Sequence, residues 1–339
     1  LTADVVVVND FSELNRLGRE GVAGKIVLFN NKYDARMASS GYGFNAYGQA
    51  VQYRGGGAIA AGRLGAAAVL VRSAGGSQNR LAHTGAMRYA DGVTQIPAAA
   101  VSFEDAETIA YLAAMGKVRV RIVLTPKTLP DTVSYNVIGN LKGSDKPDEV
   151  VIVSGHLDSW DLGTGALDDA CGVAVAMQVP YLLNQLKVRP KRTIRVIAYM
   201  NEENGLVGGT TYANEENANI AKHFAAIESD AGASHPLGFF YTAKAETAPF
   251  YAAISSVLQS QGAGLSQIQP GGVGADIGPL TQRGVPSFAP FFTAQTYFNY
   301  HHTAADTLDK IDPKELQEVG SVMAVLAYGL ANLEQPLPR

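Results

Sequence analysis

The chain has 339 residues, 47% of them hydrophobic and 17% charged, enough to bury a large core and to predict roughly two domains. A net charge of −4 with no long basic block excludes nucleic acid as a partner, and no apolar run is long and unbroken enough to span a membrane. Cys171 is the only cysteine, so an intramolecular disulfide is impossible.

Residues 1–129 read as a first, smaller α/β unit. Apolar runs at 5–8 and 26–29 predict strands, the second announced by Gly24 and Lys25. A Gly/Ala-rich stretch at 46–65 offers small side chains for close helix packing and leads into a strand at 68–72. A strand at 96–101, a helix at 104–115 capped by Ser102 and a strand at 118–124 complete the unit. The run Gly55, Gly56, Gly57 lacks the Lys-Ser/Thr of a phosphate loop and reads as packing or turn. In the loop 83–91, HTGAMRYAD, the residues His83, Arg88 and Tyr89 could recognise a charged substrate end, since arginine pairs bidentately with carboxylate. A solvated loop is the plainer reading of the same residues.

The two prolines of 125–132, TPKTLPDT, mark a linker, and 130–339 form the second domain. Strands at 134–141 and 149–153 look like neighbours across the turn 143–148. From Ala170 onward helices and strands alternate: helix 173–186, strand 193–200, helix 208–215 and strand 224–228. Phe250, Ile254 and Leu258 mark a further amphipathic helix, and 287–292 a further strand. The last helix starts clearly, with Asp312 as N-cap, Pro313 in the first position and Glu315 as a capping carboxylate. Leu316, Val319, Met323, Leu326 and Leu330 make its buried stripe. This alternation predicts an α/β domain with a mainly parallel (mixed) sheet and helices on both faces.

Chemistry concentrates in DEVVIVSGHLDSWDLGTGALDDACG, residues 148–172. The run at 150–153 is uniformly apolar, as in a parallel strand buried on both faces, and His156 and Asp158 stand where it stops. Metal-ligand residue types follow three more predicted strands: Glu202 and Glu203, Asp230, and His301 and His302. Parallel strands bring their carboxyl ends to one edge of a sheet, so these residues converge. Carboxylates gathered there repel one another unless protonated or neutralised by cations, and histidines mixed with them suit zinc, with manganese or cobalt as alternatives. His223, at a strand start, and His235, before Pro236, read as surface or turn residues. Cys171 reads as a small buried residue opening a helix.

The segments GHLDSWDLGTGALDDACG, AYMNEENGLVGG, ESDAG and YHHTAADT resemble those of the co-catalytic di-zinc exopeptidases, nearest the plasma glutamate carboxypeptidase branch and close to the bacterial leucyl aminopeptidases. The likeness covers 130–339, and the first unit resembles the protease-associated domain that accompanies many members. It implies a zinc-exopeptidase (phosphorylase/hydrolase-like) fold and two zinc ions. His156 and Asp230 would bind one ion, Glu203 and His302 the other, with Asp168 bridging and a cis peptide after it. Glu202 would be the general base acting on a bridging hydroxide, and Asp158 would orient His156. His301 could donate to the oxyanion, where related carboxypeptidases carry tyrosine, and Asp306 could hold the ligand histidine.

The implied activity is hydrolysis of short peptides with free termini, as a dipeptidase, aminopeptidase or carboxypeptidase, with dipeptides in front. A glutaminyl-cyclase-like acyltransferase shares the fold but uses one metal, and retention of all five ligand positions argues against it. A catalytically inactive binding protein on the same scaffold would have lost ligands that are present here. The loop 271–276, Gly278, Pro279 and the segment 293–299 are expected to shape the pocket. A start at Leu1, without Met or signal peptide, suits a processed secreted chain, extracellular or periplasmic. A homodimer is one candidate assembly.

Overall fold

The computed structural model describes residues 1–339. They divide into two compact units, one of Leu1–Thr132 with Ala294–Asp306, the other of Val133–Thr293 with Thr307–Arg339.

The first unit contains β1 (Thr2–Val8), α1 (Phe11–Val22), β2 (Ile26–Phe29), α2 (Gly43–Arg63), β3 (Ala68–Arg72), β4 (Ala98–Val101), α3 (Phe103–Met115) and β5 (Arg119–Arg121), counting helices of at least two turns. Its sheet runs β4-β3-β2-β1-β5, parallel except where β5 pairs antiparallel with β1. The run Ile26–Phe29 is buried throughout because each face of the sheet has its own core. Val27 and Phe29 pack with Tyr53, Ala61 and Val69, while Ile26 and Leu28 pack with Ala68, Leu70 and Ala106. Small residues in α2 answer to this packing: a Cβ on Gly57 would lie 2.9 Å from the Phe29 ring. Ser102 caps α3 by accepting the Asp105 N–H. Helix α1 has no counterpart in the sequence reading. Its buried residues are only Leu14 and Val22, and Gly18 interrupts the helix between them.

A single boundary near residue 129 misses one feature. The segment Ala294–Asp306 belongs by its contacts to the first unit, although it follows strands of the second. Main-chain bonds hold it there, Gly76 N–H to Phe298 O and Thr84 N–H to His302 O, both at 2.9 Å. Phe298 stacks on Tyr47 with ring centroids 4.4 Å apart. Such long-range packing leaves no periodic trace in a linear pattern.

The second unit contains β6 (Val137–Leu141), β7 (Lys146–His156), α4 (Cys171–Gln185), β8 (Arg192–Tyr199), α5 (Val207–Glu215), β9 (His223–Glu228), β10 (Pro236–Thr242), α6 (Ala248–Gln259), β11 (Leu265–Ile268), β12 (Ser287–Phe292) and α7 (Pro313–Asn332). The sheet order is β11-β10-β12-β9-β7-β8-β6. Its centre, β12-β9-β7-β8, is parallel, so these strands end at one edge. The expected pairing of β6 with β7 is replaced by an antiparallel pairing of β6 with β8, because β7 already has parallel partners on both sides. Strands β10 and β11 were not anticipated. The first buries Phe239 and Tyr241, but an irregularity at Pro236–Gly238, where Gly238 has φ 151°, interrupts its alternation, and the second is exposed throughout. Residues 166–185 pass for a membrane span by composition, but α4 is a core helix packed on β7 and α7. Asp312 caps α7 by accepting the N–H of Lys314 at 2.7 Å and of Glu315 at 3.3 Å.

Candidate metal centre

In the second unit the end of β7 delivers His156, the turn after β8 delivers Glu202 and Glu203, and the turn after β9 delivers Asp230. Asp168 and Asp169 lie just before α4, joined by a cis peptide. His156 Nε2 is 3.2 Å from Asp168 Oδ1 and 3.5 Å from Asp230 Oδ1. Its other nitrogen, Nδ1, donates to the main-chain carbonyl of Asp158 at 2.8 Å. That bond fixes the tautomer and leaves Nε2 as the nitrogen for a ligand. Ligand atoms of His156, Asp168 and Glu203 lie within 4.8 Å of one another, as do those of His156, Asp169 and Asp230.

Asp158 acts differently from the expectation. Its carboxylate is 3.9 Å from His156 Nδ1, so the ring is oriented by the carbonyl of the same residue. The carboxylate accepts the N–H of Glu202 at 3.0 Å and of Glu203 at 3.3 Å, and so holds the turn that carries both glutamates. Asp169 spends its oxygens on the main chain, Oδ2 on His156 N–H at 3.0 Å and Oδ1 on Gly172 N–H at 3.1 Å, and is thereby a positioning group. Space behind it is closed: a Cβ on Gly172 would lie 1.9 Å from Ser229 O.

The electrostatics are those of a site made for cations. Burial alone would lower the His156 pKa, but hydrogen bonds to Asp168 and Asp230 outweigh it and hold the ring protonated. Glu202 is pushed up to about 8 by burial and then by the charge of Asp230. Asp169 is raised by the same two causes. One imidazole between converging carboxylates, buried to 1% exposure, keeps a proton where a divalent ion fits better. The nitrogen and oxygen donors suit zinc.

His301 and His302 lie in the segment that belongs to the first unit, and are grouped there with His83. The His301 and His302 rings stack with centroids 3.7 Å apart. His302 Nδ1 is 3.2 Å from Thr84 O and 3.4 Å from the Arg54 guanidinium. The carbonyl is the nearer partner, and a bond to it puts the ring proton on Nδ1. Of the loop residues proposed for substrate recognition, His83 joins this cluster. Arg88 is exposed, and Tyr89 donates its hydroxyl proton to Ile96 O at 2.7 Å.

Several contributors escaped the sequence reading. Trp160 donates Nε1–H to Glu203 Oε2 at 2.6 Å, and its place within the ligand-rich segment was the available signal. Glu228, ending β9, accepts the N–H of Ala275, Asp276 and Ile277, and burial outweighs them to raise it to about 7. Asp276, expected in a pocket wall, is fully buried with neither oxygen hydrogen-bonded. Burial and then the charge of Glu228 push it to about 9. His223 is likewise buried, not superficial, and bonded to the Tyr212 hydroxyl at 2.9 Å. His235 is 43% exposed and paired with Glu318, and Cys171 is buried with Sγ 3.2 Å from Leu167 O.

Known proteins resemble this chain in sequence and fold. The model of a family described as peptidase family M28 matches residues 136–327. Carboxypeptidase Q of Homo sapiens is 38% identical over 340 residues, an alignment spanning 100% of this chain and 69% of that protein. Among solved structures, a peptidase M28 precursor from Shewanella amazonensis SB2B is similar with a TM-score of 0.93 at 38% identity, covering 100% of this chain and 76% of that one. An aminopeptidase from Aneurinibacillus sp. strain AM-1 shares the fold, with a TM-score of 0.62 at 21% identity over 100% of this chain and 77% of that one. With the family model covering over half the chain and such relatives spanning all of it, the chain belongs to peptidase family M28 and is a metal-dependent exopeptidase.

Proposed function

We propose that the chain hydrolyses short peptides with a free terminus, unblocked dipeptides first, at a pair of zinc ions. On the family resemblance, His156 and Asp230 would hold one ion, Glu203 and His302 the other, and Asp168 would serve both, with manganese or cobalt able to replace zinc on the same donors. When bound, the ions supply Lewis acidity for the scissile carbonyl and make the attacking water more acidic. Glu202 takes the proton of that water and returns it to the leaving amine. Asp158 holds the Glu202 main chain for that task, and Trp160 ties Glu203 down so that the adjacent glutamates do not exchange roles. His301 donates a hydrogen bond to the carbonyl oxygen as it gains charge.

The observation that supports this reading most is the approach of Asp168 and Asp230 to one nitrogen of His156, whose other nitrogen is already committed. On the resemblance the first unit is read as a protease-associated domain; a secreted enzyme, extracellular or periplasmic, and a homodimer are its candidate location and assembly. Hydrolysis of free, N-acetylated and C-amidated dipeptides, before and after chelation, tests the function. Free dipeptides should be cleaved, chelation should abolish turnover, and added zinc should restore it. Cyclisation of N-terminal glutamine peptides without hydrolysis would favour the acyltransferase, and inertness toward every peptide would favour a binding protein.

A further inference from the structure

The histidine cluster of the first unit contains a feature that the peptidase reading does not use. Arg54 has no carboxylate partner. Its NH1 donates to Thr84 O at 2.9 Å and to the Tyr47 hydroxyl at 3.0 Å, and its Nε donates to Ala86 O at 3.2 Å. The loop backbone lies against it: Gly85 has φ 140°, and a Cβ there would fall 2.2 Å from Arg54 Cζ. So fixed, NH1 stands 3.4 Å from His83 Nδ1. His83 is itself buried, with its main-chain N–H on Ser73 Oγ at 2.9 Å, and its Nε2 lies 3.1 Å from His301 Nδ1.

These contacts assign protons. A guanidinium only donates, so it favours the His83 tautomer whose facing nitrogen is unprotonated, whereas His302 Nδ1, at the same 3.4 Å, has the Thr84 carbonyl as its acceptor. His83 therefore carries its proton on Nε2 and donates it to His301 Nδ1. His301 Nδ1 then accepts, which leaves the His301 proton on Nε2. NH1 also serves Thr84 and Tyr47 at shorter range, so its contact with His83 orients more than it binds. A third metal on these histidines is opposed by the same cation, 3.4 Å from two of their nitrogens.

We propose that Arg54 and His83 are positioning residues that set the tautomer of His301, so that His301 presents Nε2–H to the substrate carbonyl oxygen as charge develops there. The donor half of this inference rests on the peptidase reading above; the tautomer half stands on the first unit alone. Two variants separate a structural role from a positioning one. His83→Leu removes the donor, whereas His83→Gln returns an amide N–H toward His301 and an oxygen toward Arg54.

Ring-nitrogen 15N shifts of His301 in the labelled zinc enzyme, and initial rates on a free dipeptide, make the test. The parent should show His301 protonated on Nε2, and His83→Leu should show a mixture of tautomers. In His83→Leu kcat should fall roughly tenfold to a hundredfold with KM within about twofold, part of what an oxyanion donor is worth. His83→Gln should recover to within about fivefold of the parent if the hydrogen bond is what matters. A His301 protonated on Nδ1 in the parent, a His83→Gln as impaired as His83→Leu, or a loss confined to KM would each overturn the inference. A parent that hydrolyses no peptide would overturn the peptidase reading and the donor role with it, while the nitrogen shifts would still decide the tautomer.

Discussion

Glu202→Gln separates the chemistry of this carboxyl from its cost to the fold. Glutamine is nearly isosteric, and the turn is held through main-chain N–H groups on Asp158, so placement survives the change. Loss of a general base costs about 10²–10⁴ in kcat. At about 1.36 kcal/mol per tenfold, that is roughly 2.7–5.4 kcal/mol of barrier. Stability should move the other way once the metal is removed. Burial and the charge of Asp230 raise Glu202 from its ordinary 4.5 to about 8, so the folded state prefers the protonated acid. Its favourable contribution is complete below 4.5 and is lost as pH rises through about 8. Gln carries no such loss. One pKa unit is worth about 1.36 kcal/mol, and part of the rise comes from neighbouring charges that relax without metal, Asp230, Glu203 and Asp168 among them, so we expect a gain of about 1–3 kcal/mol at about pH 9. That is about 2–4 °C in melting temperature per kcal/mol. Near pH 4 the two proteins should melt alike. Rates on a free dipeptide with zinc, and thermal melts in chelator at both pH values, are the assays. Parental turnover in the variant, or a lower melting point at pH 9, would refute the reasoning.

Three further changes probe the supports of the site. Trp160→Phe removes the N–H that holds Glu203 and should weaken zinc binding by about 10–100-fold in competition with a chromophoric chelator; unchanged affinity would dismiss the clamp. Arg192 is 1% exposed, bonded through Nε to Glu149 and through NH1 to Leu333 O at 2.5 Å each, with Phe224 3.8 Å from its guanidinium. Arg192→Ala should cost about 3–5 kcal/mol in urea unfolding, and a loss under about 1 kcal/mol would count against the buried network. Gly172→Ala forces a Cβ to within 1.9 Å of Ser229 O, so α4 must shift at its start. About 1–3 kcal/mol of stability should go, with zinc occupancy falling alongside it, and a variant that keeps full occupancy would show that this close approach does not position the ligands.

Much of the fold is readable along the chain because burial on both faces writes itself as uninterrupted apolar runs. Ile26–Phe29, Ala68–Arg72 and the middle of β7 are such runs. The start of α7 is equally legible, since Asp312 and Pro313 do their work within one turn. Helix α1 and strands β10 and β11 are not: α1 buries only Leu14 and Val22, the irregularity at Pro236–Gly238 breaks the alternation of β10, and β11 is exposed throughout. The partner of β6 was misjudged for a related reason: sequence adjacency suggests β7, but sheet order is decided by which strands already flank β7.

By itself the sequence determined the kind of chemistry, by setting histidine and acids just beyond apolar strands whose ends a parallel sheet must collect. Only the tertiary structure decided how those groups are held. It showed the Asp158 carbonyl, not its carboxylate, on His156, and it brought Trp160 to Glu203 across 43 positions and His83 to His301 across 218. Residue type sets what a side chain can donate or accept, but the partner it meets depends on distances that exist only after the sheet has formed and its loops have packed.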